Sequence, residues 1–144
     1  MAQASHSVTV PVSVEKVWSF VSKIEKWATL VPGYASHEEK NDTTSVWTFE
    51  GSMKGIKKTV QVELEIVELV EPNRIRFTFK GITENFSGSG EFVAVEEADG
   101  TKMTGTVEAE AGGIAKLALN PMIKMVLPKV VERLTEKIGR TLQQ

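Results

Sequence analysis

Apolar positions recur along this chain with two different periods. From Asn120 to Leu142 the period is helical: Ile123, Leu127, Val130, Leu134 and Ile138 follow at three- and four-residue spacing and form one stripe. Asn120-Pro121 reads as the start signal, with Asn as N-cap and proline at the first helical position. A helix of about twenty residues is roughly 30 Å long. It can cross a small domain, and its stripe needs an apolar surface to lie on.

Ahead of it the period is mostly two. Thr59 to Leu69 is the clearest run: Val60, Val62, Leu64 and Ile66 alternate with Thr59, Gln61, Glu63 and Glu65. The parity shifts at Val67 and Leu69, which predicts a bulge or the strand's end. Ser45 to Gly51 sets Trp47 and Phe49 on one face, and Ile75, Phe77 and Phe79 share a face beyond the Glu71-Pro72-Asn73 turn. Phe86 to Val95 turns Phe92 inward. After Asp99-Gly100, a hairpin signal, Lys102 to Glu110 turns Met103, Gly105, Val107 and Ala109 inward. Ser7 to Val10 is a first strand, and Tyr34 to Lys40 a weaker one. Between them Ser13 caps a short helix buried through Val14, Val17, Trp18 and Val21. A second helical piece, Ile24 to Leu30, ends at Pro32-Gly33.

The order predicts an α+β fold: a strongly bent antiparallel sheet of about seven strands wrapped around a long C-terminal helix, with two short helices after strand 1. Each long strand has one wet and one dry face, and the helix covers the dry one. At 144 residues the chain reads as one domain with a substantial core.

Composition narrows the function. With 41% hydrophobic and 25% charged residues, neither disorder nor a membrane span is indicated. The absence of cysteine excludes disulfides, a thiolate nucleophile and a cysteine metal site. Met1 to Ser7 lacks the pattern of a signal peptide, so the cytoplasm is the expected address. A net charge of −2 argues against nucleic acid as a partner. From Pro121 onward, however, Lys124, Lys129, Arg133, Lys137 and Arg140 face only Glu132 and Glu136. That excess reads as a solvated face near a helix C-terminus or as a weak anionic docking face.

Candidate chemistry is sparse. His6 lies near a terminus, and His37 sits beside Glu38 and Glu39, whose side chains alternate between faces. Both read as surface histidines, and neither metal nor cofactor is expected. Glu63, Glu65, Glu108 and Glu110 fall on wet faces, where a general acid or base has no pocket. Gly88-Ser89-Gly90 lies inside a strand pattern and opens no helix, so it reads as a bulge or as space beside a cavity. Trp47, Phe49, Phe77, Phe79, Phe92 and Met103 share inward parity, as core or as cavity lining. Met122 and Met125 fall off the helical stripe. With the Gly112-Gly113 hinge and a kink at Pro128 they form either a movable entrance or ordinary packing.

Several stretches carry a resemblance across nearly the whole chain: VTVPVSVEKVWSFV near the N-terminus, LVPGY at 30–34, FSGSGEF at 86–92, and VEAEAGGIAKL leading into the terminal helix. The chain resembles the helix-grip fold of the START-like (SRPBCC) superfamily, and is most similar to the carbon-monoxide-dehydrogenase G-subunit (CoxG-like) branch. The resemblance implies a large apolar cavity between sheet and helix that binds lipids, quinones, sterols or polyketide-like molecules. It also implies, for the CoxG-like branch, a link to molybdenum hydroxylases. The chain stops at Gln144 without the membrane-anchoring extension of some members, so a stable anchor is not expected.

Three functions follow as expectations. In the leading one the chain is a non-enzymatic carrier of a small hydrophobic ligand, with Trp47, Phe49, Phe77, Phe79, Phe92 and Met103 as sheet wall and Leu117, Met122, Val126 and Val130 on the helix side. In the second, an accessory protein docks on a partner enzyme through the basic face of Lys129, Arg133 and Arg140; a transient membrane contact is a further expectation, with no residues assigned to it. In the third, a polyketide cyclase-like enzyme uses a polar group in its pocket, with Tyr34 and His6 as candidates.

Overall fold

The computed structural model describes residues 2–53, 55–114 and 116–144. Strands β1 (Ala2–Val10), β2 (Tyr34–Glu39), β3 (Thr44–Met53), β4 (Ile56–Val70), β5 (Arg74–Gly81), β6 (Phe86–Glu97) and β7 (Gly100–Ala111) form one antiparallel sheet in the order β1-β7-β6-β5-β4-β3-β2. Helices α1 (Val14–Val21) and α2 (Ile24–Trp27), the latter continued by a 3-10 turn over Ala28–Leu30, follow β1, and α3 (Lys116–Leu142) closes the chain. The inward faces of the strands and the inner face of α3 enclose the core, which is the helix-grip arrangement that the resemblance implies.

The strand patterns lie as their alternation requires. Val62, Leu64, Ile75, Phe77, Phe92, Met103 and Ala109 are buried, and the β4–β5 register shifts between Ile66 and Glu68, where the parity of the sequence changes. Ser13 caps α1, its hydroxyl accepting from the Lys16 amide at 3.2 Å. The Glu71-Pro72-Asn73 turn joins β4 to β5. Its Glu71-Pro72 peptide is cis, and the Asn73 amide donates to the Val70 carbonyl at 2.7 Å.

Helix α3 departs from the sequence reading. It begins at Lys116, ahead of the expected start at Asn120, and is a single 27-residue helix that runs unbroken through Pro121 and Pro128. Asn120 caps nothing. Its side-chain amide instead pairs with the backbone of Ala111 at the end of β7, accepting from that residue's amide at 2.7 Å and donating to its carbonyl at 3.4 Å. The carbonyls that the two prolines leave without partners belong to Leu117 and Lys124, which are exposed to water.

The two halves of α3 meet different surroundings. From Val131 onward its inner face is buried on β1 and β7, through Val131, Leu134, Thr135, Ile138, Gly139 and Leu142. His6 of β1 bonds Glu136 across this contact at 2.7 Å. The earlier half lies over the β3–β6 end of the curved sheet and leaves a gap there.

Candidate functional site

That gap is a cleft of about 660 Å³. Its sheet side is formed by Phe49 of β3, Val60 of β4, Phe79 of β5, Phe86 of β6 and Ala109 of β7. Its helix side is formed by Leu119, Met122, Ile123, Val126, Leu127 and Val130. Pro32 and Gly33, the turn into β2, complete one end. Gly33 has a positive φ of 84°, and its carbonyl accepts from the Glu50 amide at 2.8 Å, which fixes this turn against β3.

Polar side chains in the lining are Glu50, Lys58 and Glu84. Lys58 and Glu84 pair at 2.8 Å, with Lys58 well exposed, so the charge lies where the cleft meets solvent. The volume falls within the range of small-molecule sites, and the mix of apolar walls with few charged groups is their usual composition.

The ten residues that the sequence singled out separate into three groups. Phe49, Phe79, Met122, Val126 and Val130 line the cleft. Trp47, Phe77, Phe92 and Met103 lie in the packed core, each less than a tenth exposed. Leu117 is 83% exposed and faces away from the cleft.

Trp27 is the reason for the three aromatic residues of the second group. Its ring centre stands 5.9 Å from Trp47, 6.0 Å from Phe77 and 5.3 Å from Phe92, and its indole N–H donates to the Val21 carbonyl at 3.0 Å. One buried aromatic with its polar atom satisfied thus fills the concave space that parity alone left open. Sequence reasoning did not single out Trp27. Its available signal was the Ile24–Trp27 spacing on one short helical face.

The pattern around Gly88 and Gly90 predicts a bulge or space beside a cavity. The β6 register is regular, and the space is occupied by the rings of Phe79 and Phe77.

The expected polar candidates lie elsewhere. His6 faces Glu136 against the buried half of α3. Tyr34 and His37 share a hydrogen bond of 2.7 Å between the phenol oxygen and Nδ1. The reading of His37 as a surface residue is corrected here. A register shift between Tyr34 and Ser36 turns both residues to the inner side, where His37 is half-buried and stacks on Trp47 at 5.2 Å. Neither Tyr34 nor His37 lines the cleft. Lys129, Arg133 and Arg140 are all exposed, with Glu132 exposed among them.

A second depression, of about 420 Å³, lies on the polar face of the sheet among Glu63, Glu65, Thr78, Lys80, Ser87, Ser89 and Glu108. Lys80 approaches Glu63 there at 3.6 Å, as expected of solvated sheet surface. Among the described residues no group of three or more His, Asp or Glu side chains could hold a metal, and no helix is long and apolar enough to cross a membrane.

Comparison with solved structures places the fold among known ones. A conserved protein from Geobacillus kaustophilus superimposes with a TM-score of 0.78 at 19% identity, over 97% of this chain and 94% of that one. A START superfamily protein from Mycobacterium smegmatis gives 0.75 at 19% identity, over 100% and 99%. The di-domain aromatase/cyclase StfQ of the steffimycin biosynthetic pathway gives 0.68 at 12% identity, over 99% of this chain and 50% of StfQ. Comparison with curated proteins gives no significant sequence match. A family profile described as polyketide cyclase / dehydrase and lipid transport matches residues 1–143, and the chain belongs to that family.

Proposed function

We propose that this protein binds and carries a small hydrophobic ligand, of lipid, quinone or polyketide-like type, in the cleft between the sheet and the first half of α3, without transforming it. The observation that carries this reading is the cleft itself: about 660 Å³ with Phe49, Val60, Phe79 and Phe86 on one side and Met122, Ile123, Val126, Leu127 and Val130 on the other. Burial of apolar ligand surface at roughly 25 cal/mol per Å², less the cost of association, supplies the affinity. A non-enzymatic role is supported by the distribution of polar groups. The charged side chains of the cleft include an ion pair, Lys58–Glu84, and the Tyr34–His37 pair stands outside the lining. Within the START-like superfamily, the CoxG-like reading rests on the resemblance carried by VTVPVSVEKVWSFV, LVPGY, FSGSGEF and VEAEAGGIAKL with the terminal helix.

Native mass spectrometry of the protein purified from cells, with solvent extraction of whatever is bound, tests the reading. An adduct of lipid, quinone or fatty-acid mass is expected, and it should be absent from a folded Val126→Asp variant. Equal adducts in both proteins would place the ligand elsewhere.

A further inference from the structure

The first half of α3 is apolar on two sides, and only one of them is covered. Its inner side forms the wall of the cleft. On the opposite side Leu117, Pro121 and Met125 stand four residues apart with Pro128 three further on, and all four are exposed. At 100° per residue they form one stripe directly behind the cleft-lining set. Leu117 is 83% and Met125 64% exposed, and Ile114, in the turn before the helix, is fully exposed.

The charge on the same segment is of one sign. From Ala111 to Val131 the chain has no carboxylate and three lysines, Lys116, Lys124 and Lys129, all exposed. Lys124 borders the Leu117–Met125 stripe, and Lys116 and Lys129 lie outside it on either side. Later on the same helix the exposed surface becomes Glu132, Arg133, Lys137 and Arg140, an ordinary mixture of both signs. The apolar, purely cationic surface is thus confined to the half of α3 that covers the cleft.

We infer that this outer face docks on an anionic phospholipid bilayer. An apolar stripe with one lysine at its border and another farther out on each side fits a helix lying in a membrane interface. The stripe enters the headgroup boundary and the lysines meet lipid phosphates. A second copy of the chain suits the surface poorly, because a symmetric contact would bring two sets of three lysines together. Docking lays the helix flat on the bilayer and leaves the cleft on its far side, about one helix diameter of roughly 10 Å away. The surface lies outside the cleft, so the inference goes beyond the ligand-carrier reading and stands independently of it.

Flotation with phosphatidylcholine vesicles, with and without phosphatidylserine, tests it. The full chain should float with the phosphatidylserine vesicles at low ionic strength and be released by added salt. Lys124→Ala should lower partitioning roughly fivefold, and Leu117→Asp with Met125→Asp should abolish it. All these side chains are exposed and outside the cleft lining, so circular dichroism, melting temperature and uptake of an apolar probe should stay as in the unaltered chain. Failure to float with anionic vesicles, flotation indifferent to phosphatidylserine, or flotation unchanged in the double variant would overturn the inference. A dimer in sedimentation velocity that the double variant dissolves would also overturn it, assigning the face to a second copy. An unaltered chain that floats with anionic vesicles and takes up no apolar probe would instead bear out the docking face and count against the carrier reading alone.

Discussion

The ring of Phe79 lies across Gly88, its register partner on the neighbouring strand, so closely that a Cβ on Gly88 would stand 2.6 Å from the ring. The same relation joins Phe77 to Gly90, also at 2.6 Å, and in looser form Phe92 to Gly105, at 3.1 Å. Each phenylalanine rests over a strand position without a side chain. These pairs partition the interior. Phe77 and Phe92 turn toward Trp27 and complete the core, whereas Phe79 reaches the cleft.

Adding a methyl group at Gly90 therefore forces Phe77 out of its place. Gly90→Ala is expected to destabilise the protein by about 1–3 kcal/mol, the usual cost of overpacking, measured by urea denaturation. Because the nearest atoms all belong to the Phe77 ring, Phe77→Leu in the same chain should recover part of the loss. Additive losses in a double-mutant cycle would contradict the contact.

Core and cleft residues should respond differently to truncation. Phe77, 7% exposed, is expected to cost about 3–5 kcal/mol on replacement by alanine. Val126, 40% exposed on the cleft wall, should cost less than about 1 kcal/mol. Similar losses at both positions in thermal or urea unfolding would mean that the cleft is packed as tightly as the core.

Asn120 holds the end of β7 to α3. Asn120→Ala leaves the amide and carbonyl of buried Ala111 without these partners, at an expected cost of about 1–3 kcal/mol. Hydrogen exchange at the Ala111 amide should rise in this variant. Unchanged exchange there would show that the side chain does not protect it.

Much of the sheet was legible because period-two patterns with one dry face leave little choice of orientation. The alternation from Val60 to Ile66 and its break at Val67 are both found, the second as a register shift. What stayed hidden depends on contacts between distant parts of the chain. Asn120-Pro121 has the local form of a helix start, yet Ala111 draws the asparagine into another bond and the helix begins at Lys116. Trp27 sits in a four-residue helix, too short to display a period, so its place among Trp47, Phe77 and Phe92 could not be read. Parity along β2 assumed a regular pleat, and the shift after Tyr34 turned His37 inward against that expectation. For the cleft, the helix positions Met122, Val126 and Val130 were within reach of pattern reasoning. The division of the sheet aromatics into core and lining was not, because it depends on where Trp27 stops and open space begins.

Methyl NMR of the methionines during titration with a medium-chain alcohol tests the carrier reading most directly. Met122 lines the cleft, Met103 is fully buried in the core, and Met125 faces solvent on the outer side of α3. The Met122 signal should shift saturably, reaching its end point at one ligand per chain, while Met103 and Met125 stay in place. A saturable shift of Met103 with Met122 unmoved, or no saturable shift at Met122, would contradict ligand binding in this cleft.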